Sequence, residues 1–230
     1  MVMVDSTESE LRWVRRAEST RGGRTKAALL DAAEERFAEL GVEGATVVDI
    51  AAAAGVTIGA LYHHYRDKHA LQVALFERYA AELDATTKAA LDPARWEGAS
   101  VADILSSYVA FSLRTDRDRP GRKRACLMVC RVDPALAARH DELRVQVDEG
   151  LRRLLLARRD ELGHPDPELA VSFVLEQLGS ILRSRLLEAR LPTRFGTRTD
   201  EQLHAEAMRS VCSYLEIDPP SEPHPIQEHA

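Results

Sequence analysis

The run Tyr62-His63-His64-Tyr65 is the densest group of side chains in this sequence that could bind a metal ion or an external partner. Imidazole is a common metal ligand, and imidazole and phenol groups also hydrogen-bond to polar surfaces. Neighbouring residues of a helix point about 100° apart, so His63 and His64 cannot readily share one metal ion. No cysteine or glutamate lies at ligand spacing from them. The run therefore favours hydrogen bonding to a partner; a solvated helix end with Tyr65 in the core is the alternative.

Redox or metal chemistry elsewhere in the chain would have to involve the cysteines or His140. Cys126 and Cys130 lie four residues apart on a predicted helix, with no third and fourth ligand near them in the sequence, and we interpret them as small buried side chains. His140 shares an apolar helical stripe with Leu136 and Leu143. This spacing favours a hydrogen-bonded core histidine, and a polar group in a ligand pocket is the alternative.

Length and composition place the chain among ordinary globular proteins: 230 residues, 45% of them hydrophobic, and 31 Lys plus Arg against 37 Asp plus Glu. It contains no nucleophile elbow, metal triad or phosphate-binding loop, so we expect no catalytic site, no cofactor and no metal. No apolar stretch reaches the length of about 18 residues that a membrane span requires. Three cysteines and an N-terminus without a signal-peptide pattern predict a cytoplasmic protein.

Apolar residues recur at spacings of three and four, and runs of period two are missing, which predicts an all-α fold of about nine helices. We expect an N-terminal three-helix domain over residues 24–70 and a C-terminal helical bundle over residues 71–217. Residues 1–23 are predicted to be a loose charged arm, and residues 218–230 a disordered, proline-rich tail.

The N-terminal domain is predicted to contain a helix-turn-helix. Thr46 and Thr57 are N-caps of two short helices, and Gly55 permits the sharp turn between them. The apolar seam of the pair is expected to contact Phe37 and Leu40 of the first helix. The N-terminal turn of the second helix then faces outward, where it can enter a major groove while neighbouring helix N-termini take phosphates.

The segment from Gly41 to Leu71, with the sequence DIAAAAGVTIGALYHHYRDKHAL over its last part, resembles the DNA-binding region of the TetR family of transcriptional regulators. The match covers roughly residues 24–71. In that family the signature ends with two aromatic residues around a histidine or tyrosine, followed by a lysine, as Tyr62 to Tyr65 and Lys68 do here. The resemblance implies a homodimer with a variable C-terminal helical domain that binds a small effector.

The resemblance also implies which residues contact the DNA backbone. Thr46 and Thr57 resemble residues whose hydroxyl groups and helix N-termini hold phosphates. Tyr62 and His64 resemble phosphate contacts, and Lys68 resembles a phosphate clamp at the start of the fourth helix. Such contacts position a protein on DNA without specifying the sequence.

Base reading departs from the common pattern of the family. Position 58 is often polar there, whereas this chain has Ile58 followed by Gly59 and Ala60. None of these can make a bidentate hydrogen bond, so they favour thymine methyl groups, close approach and shape readout. Base reading then rests partly on Thr57, on the arm and on His63, which lies where a base or phosphate is touched.

A net charge of -6 argues at first sight against a polyanionic partner. Residues 11–26, however, contain six bases and one acid, a local balance of +5. The arginines of this arm either follow the minor groove or merely keep the chain soluble. Residues 116–124 interleave bases with acids and are predicted to form a solvated polar loop.

N-cap signals predict the helices of the C-terminal part. Ser100 and Thr199 are caps, and aspartate followed by proline at Asp133 and Asp166 places proline at a first helical position. Beyond the helix that follows Ser100, helices are predicted over residues 134–162, 167–190 and 200–217.

Helix 167–190 carries two apolar stripes and therefore needs two partners. We expect one face to meet its copy across a two-fold axis, together with helix 200–217, and the other to look into an effector pocket; a monomeric bundle core is the alternative. A mostly apolar cavity with a few polar groups implies a largely apolar effector. The candidate lining residues are Tyr79, Tyr108, Phe111, His140, Phe173 and Gln177.

These features predict a ligand-responsive DNA-binding regulator, specifically a homodimeric repressor that leaves a palindromic, double-stranded operator when its effector binds. The proposed mechanism is linkage: a ligand that prefers another spacing of the recognition helices weakens operator affinity. The alternative is a helical adaptor or small-molecule-binding protein without DNA binding. No membrane partner is expected.

Overall fold

The computed structural model describes residues 21–131, 133–187 and 198–220. Within these ranges the chain forms nine α-helices, two short 3-10 helices and no strand, which confirms the all-α prediction. Most of the predicted arm, residues 1–20, and of the predicted tail, residues 221–230, lies outside the described residues. The helices are α1 (Arg21–Gly44), α2 (Val47–Ala53), α3 (Ile58–His64), α4 (Lys68–Ala90), α5 (Val101–Asp118), α6 (Pro120–Cys130), α7 (Pro134–Leu156), α8 (Pro167–Leu187) and α9 (Asp200–Leu215), with 3-10 helices at Pro93–Trp96 and Arg159–Glu161.

The chain divides into two compact units. The first comprises the residues up to Tyr79 together with Gly121–Asp133, and the second comprises Ala80–Pro120 and the chain from Pro134 onward. The first unit thus contains, besides residues 24–70, the beginning of α4 and all of α6 after its first residue. The central helix α6 therefore belongs to the same unit as α1, α2 and α3.

Local signals explain the first three helices. Gly41 has a φ of 73°, which kinks the end of α1 as expected of a glycine that terminates a helix. Thr46 and Asp49 form a reciprocal capping box at the start of α2, and Thr57 caps α3. Gly55 has a φ of 66° in the intervening turn. The predicted caps and turn are confirmed.

The core of the first unit joins α1 to the α2–α3 pair. Phe37, Ile50 and Leu61 are completely buried in it. The expectation that Leu40 belongs to this seam is wrong, because its side chain is 46% exposed. The kink that follows Leu40 changes the helical register, so that Val42 occupies the next inward position.

Helix α6 packs against α1 at very short range. A Cβ atom on Gly121 would lie 2.0 Å from the Glu34 carbonyl oxygen, so this packing requires a glycine. Ala125 is buried in the same core.

The prediction of a polar loop over residues 116–124 is wrong: α5 continues to Asp118 and α6 begins at Pro120. Tertiary packing outweighs the charge pattern, since Arg122 is buried with its guanidinium over the Tyr79 ring. The proline does not oppose the helix, because a first helical position needs no N–H bond.

The second unit buries its core between α5, α7, α8 and α9. Ser100 and Thr199 cap α5 and α9 as predicted, and each of them belongs to a capping box. Helix α7 ends at Leu156 rather than near residue 162. At this end the Arg158 side chain donates to the Leu154 carbonyl oxygen at 2.9 Å. Helix α8 is described to Leu187 and α9 ends at Leu215; residues 188–190 of the predicted helix lie outside the described residues.

Among the described residues, no single helix is both long and apolar enough to cross a membrane. The pair α2 and α3 meets that test only when taken together, and it is bent by 103°.

Candidate nucleic-acid interface

The bend of 103° between α2 and α3 lies within the range of a helix-turn-helix. Leu61 is the one residue of α3 that is fully buried. Ile58 and Tyr62 are 42% and 50% exposed, although both are large apolar side chains. The burial of Leu61 anchors α3 to the unit and leaves most of the helix surface open to a partner.

Two polar groups of the α3 region are available to an external acceptor. The Thr57 hydroxyl accepts a hydrogen bond from the Ala60 N–H at 3.1 Å, which leaves its own hydrogen without an acceptor among the described residues. The Tyr62 hydroxyl likewise has no hydrogen-bond partner in the described chain. Both groups can donate to a phosphate oxygen.

The two histidines at the end of α3 do not form a chelating pair. The rings of His63 and His64 lie 5.2 Å apart in an edge-to-face arrangement. In the part of the chain that the structure describes, no group of three or more His, Cys, Asp or Glu side chains could hold a metal ion. His63 is exposed and His64 is half-buried, so His63 is the more accessible of the two.

Thr46 is engaged in its own helix cap. Its hydroxyl donates to Asp49 Oδ2 at 2.7 Å, while the Asp49 N–H donates back to Thr46 Oγ1 at 3.2 Å. The hydrogen bond from the Thr46 side chain, followed by that from its backbone, lowers the pKa of Asp49 below its ordinary value. The hydroxyl hydrogen of Thr46 is therefore already donated to Asp49. The phosphate contact of Thr46 stays a prediction.

Lys68 has a structural role that the sequence pattern does not indicate. Its ammonium group donates to the carbonyl oxygens of Val42 at 2.9 Å and Ala45 at 3.1 Å. These carbonyls lie between the kink of α1 and the cap of α2. Lys68 therefore closes the α1–α2 turn with two of its three N–H donors and retains one for an external anion.

A second feature missed at the sequence level is the ion pairing that joins α4 to α1. Arg78 donates to Asp31 Oδ1 at 2.6 Å and to Glu34 Oε2 at 3.0 Å, and Glu34 is buried. The partners are 47 and 44 residues apart, so no local pattern reveals them. This pair positions the start of α4 relative to α1.

Cys126 is buried as predicted, and burial raises the pKa of its thiol. Cys130 is half-buried one turn further along α6. A protonated, buried thiol is a packing group rather than a nucleophile.

The first three candidate pocket residues are divided between the two units. Tyr79 belongs to the first unit, where its ring lies beneath the Arg122 guanidinium at 5.6 Å. Tyr108 is largely covered on α5, and burial raises the pKa of its hydroxyl to about 12. Phe111 is half-buried with Arg114 over its ring at 5.9 Å. Tyr108 and Phe111 share α5 of the second unit.

The remaining candidates differ in the direction they face. His140 is largely covered, and its Nδ1 lies 3.9 Å from an oxygen of Asp141. The expectation that Phe173 turns inward is wrong, because it is 52% exposed with its ring 4.8 Å from that of Tyr214 on α9. Gln177 donates to Ser210 Oγ, also on α9, at 3.0 Å.

The two stripes of α8 explain this difference. Its buried stripe packs into the core of its own unit, and Phe173 and Gln177 lie on the other stripe, next to α9. Periodicity shows both stripes but not which one the unit covers. The buried stripe comprises Val171, Leu175, Leu178 and Leu182.

Comparison with known proteins agrees with this geometry. The family model described as bacterial regulatory proteins, tetR family, matches residues 29–75, which span the helix-turn-helix. The HTH-type transcriptional repressor Rv1474c of Mycobacterium tuberculosis is 33% identical over 135 residues, 57% of this chain and 66% of that protein. The HTH-type transcriptional repressor BepR of Brucella suis is 52% identical over 44 residues, 19% of this chain and 21% of BepR.

Similarity of fold extends over nearly the whole chain. The solved structure of the SmeT–triclosan complex superposes with a TM-score of 0.58 and 20% identity, covering 89% of this chain and 99% of that one. The sequence similarity, by contrast, spans less than two thirds of either repressor. These relatives are regulators rather than enzymes, in agreement with the prediction that this chain is not an enzyme. Residues 29–75 of this chain thus form the helix-turn-helix domain of the TetR family of bacterial regulatory proteins.

Proposed function

We propose that this chain is a DNA-binding transcriptional regulator, specifically a repressor that binds a palindromic operator as a dimer. The observation that carries the proposal is the exposed surface of α3, held at 103° to α2 by the burial of Leu61. A helix presented in this way fits the major groove of B-DNA. Two of the similar proteins, Rv1474c and BepR, are transcriptional repressors, which supports the same role here.

Phosphate contacts follow from the polar groups around α3. The hydroxyl groups of Thr57 and Tyr62 have hydrogens to donate, and Lys68 retains one N–H. His63 and His64 complete the predicted contacts at the end of the helix, and Thr46 lies at the start of α2. Since phosphate contacts fix register rather than sequence, these residues are proposed to orient α3 on any duplex.

The test is an electrophoretic mobility shift of the purified full chain on the DNA that flanks its own gene. We expect a shift at nanomolar to micromolar protein that survives an excess of unrelated duplex and weakens with added salt. No shift at any salt concentration would favour the alternative, a helical adaptor or small-molecule-binding protein without DNA binding.

We infer that two copies associate through α8 and α9. Leu169 and Phe173 of α8 are 59% and 52% exposed, and the Phe173 ring packs on Tyr214 of α9. Clustered exposed apolar side chains are costly in water unless another surface covers them. A second copy of the same face can cover them across a two-fold axis, which also matches the symmetry of a palindrome.

We further propose that the second unit binds a small, largely apolar effector that releases the operator. The SmeT structure contains triclosan in a fold like this one, which supports a ligand of that general character. Tyr108, Phe111 and His140 remain the candidate contacts on the helices of this unit. A compound that raises the melting temperature and abolishes the mobility shift would support the proposal; compounds that do only one of the two would contradict the linkage. A regulator of this kind acts in the cytoplasm, beside the chromosome.

A further inference from the structure

We propose that α3 selects its operator by hydrocarbon contact, with Ile58 against the 5-methyl group of thymine and the main chain at Gly59 in close approach to the groove. This inference rests on the proposed function, because it specifies the class of DNA that the same helix prefers. The predicted operator presents thymine methyl groups where the first turn of α3 enters each half-site.

Ile58 is the first residue of α3, and its side chain is 42% exposed. The chemistry of this side chain is restricted, because a branched aliphatic group can neither donate nor accept a hydrogen bond. Of the groups that base pairs present in the major groove, the C5-methyl of thymine is the apolar one. Contact with that methyl group is therefore the base-specific interaction that Ile58 can make.

Gly59 provides an independent observation. It is helical, and its φ is not among the positive values found at Gly41, Gly55 and Gly98. A Cβ atom on Gly59 would meet only Thr57 Oγ1, at an ordinary distance of 3.9 Å. Neither backbone conformation nor packing within the described chain therefore requires glycine at this position.

A glycine in a helix is nonetheless unfavourable, because it lowers helix stability relative to alanine. Gly121 shows the contrasting case, where a Cβ atom would collide with the Glu34 carbonyl oxygen inside the protein. At Gly59 no such neighbour exists among the described residues, so the missing side chain makes room for a surface outside the chain. Backbone approach to a ligand is a known use of glycine.

Polar groups flank this apolar stretch. Thr57 precedes it, and Tyr62 and His63 follow it on the same short helix. The arrangement assigns phosphate contact to the flanks and base reading to the segment Ile58–Ala60. A helix built in this way discriminates by the presence or absence of a methyl group rather than by hydrogen-bond pattern.

The experiment begins with selection by the full chain from a library of duplexes with a random central region. The selected duplex is then resynthesised with deoxyuridine replacing one thymidine at a time, which removes only the methyl group. We expect one or two positions in each half-site at which this replacement raises Kd about fourfold, equivalent to about 0.8 kcal/mol for one buried methyl group.

Protein variants locate the contact. Ile58→Ala should abolish the difference between thymine and uracil at those positions, as a double-mutant cycle requires for two groups in contact. Val145→Ala is the matched control, because it truncates an aliphatic side chain that is 59% exposed on α7 of the second unit. That variant should retain the full difference.

Gly59→Ala tests the close approach separately. The variant should melt at the same or a higher temperature than the wild-type chain, yet bind the selected duplex at least tenfold more weakly. Operator binding equal to wild type would overturn the role of Gly59.

The outcomes separate the inference from the proposed function. If the chain selects a duplex but uracil replaces every thymine without effect, or the selected half-sites lack thymine, the inference is wrong and the proposed function stands. If no duplex is selected at any salt concentration, the proposed function itself fails and the inference fails with it.

Discussion

The ammonium group of Lys68 donates a hydrogen bond to the carbonyl oxygen of Ala45 at 3.1 Å, and Ala45 directly precedes the α2 cap, Thr46. The same group also donates to the Val42 carbonyl oxygen at 2.9 Å. A residue at the start of α4 thereby determines how the chain enters the helix-turn-helix. Lys68 links the fold of the first unit to the geometry of its proposed DNA-binding surface.

Removing the Lys68 ammonium should destabilise the fold as well as weaken DNA binding. In Lys68→Met the two carbonyl groups lose a charged donor in a partly buried setting, which costs about 1–3 kcal/mol in the free energy of unfolding. Urea denaturation measures this loss. Lys88→Met is the control, because it breaks only an exposed pair with Asp84. Lys68→Met as stable as the wild-type chain would contradict the positioning role.

Tyr62→Phe removes one hydroxyl group from an exposed ring and should leave the fold intact. If that hydroxyl donates to a phosphate, Kd for operator should rise about twofold to tenfold, corresponding to about 0.5–1.5 kcal/mol. The loss should be similar on different operator sequences, because a phosphate contact carries no sequence information. The salt dependence should not change, since no charge is removed. Unchanged affinity in fluorescence titrations would remove Tyr62 from the interface.

The ion pairing of Arg78 with Glu34 should contribute to the stability of the first unit. Arg78→Met removes a guanidinium group that lies 3.0 Å from the buried Glu34 carboxylate, and we expect a loss of about 3 kcal/mol in the free energy of unfolding. The double variant with Glu34→Gln should recover part of the loss, because the amide buries no charge at this position. Arg209→Met, which breaks an exposed pair with Glu206, should change stability by less than about 1 kcal/mol. Equal effects of the two arginine variants would refute this assignment.

Phe173→Glu should convert the proposed dimer to monomers without unfolding it. The side chain is already half in solvent in one copy, so a carboxylate there is unfavourable only when a second copy covers it. Sedimentation velocity distinguishes the two masses, and circular dichroism verifies the fold. Val145→Glu, at an aliphatic position on α7 that is 59% exposed, should stay dimeric. A Phe173→Glu dimer of wild-type affinity would place the interface elsewhere.

Local signals predicted the helix starts because the physics of a cap lies within four residues. In the capping boxes at Thr46, Ser100 and Thr199 the cap hydroxyl accepts from the backbone N–H three positions later, and the side chain of that residue accepts from the backbone N–H of the cap. The turn at Gly55 is equally local. These features locate the helix-turn-helix, and with it α3, from the sequence alone.

Contacts between distant segments could not be predicted in the same way. The hydrogen bonds of Lys68 and the ion pairs of Arg78 join residues more than 20 positions apart. Helix α6 forms across a charged stretch because Gly121 and Arg122 pack against α1 and α4 of the same unit. No periodicity in the sequence encodes those neighbours.

The sequence also could not predict which of the two apolar stripes on α8 faces the core. Both contain large apolar side chains at helical spacing, so either could face the core. Burial in the second unit assigns Leu175 and Leu178 to the core and leaves Phe173 outside. Of the six candidate pocket residues, Phe173 consequently lies outside the core beside Tyr214, and Gln177 donates a hydrogen bond to Ser210 of α9.

The central claim is that α3 of each of two copies occupies a major groove. The most direct test of this claim is a nuclease footprint of the purified full chain on the DNA that flanks its own gene. We predict two protected half-sites related by two-fold symmetry, with centres about one helical turn or a whole number of turns apart, roughly 34 Å per turn. The protection should disappear with Phe173→Glu at protein concentrations where that variant is monomeric. An unprotected duplex, or protection without two-fold symmetry, would contradict the account.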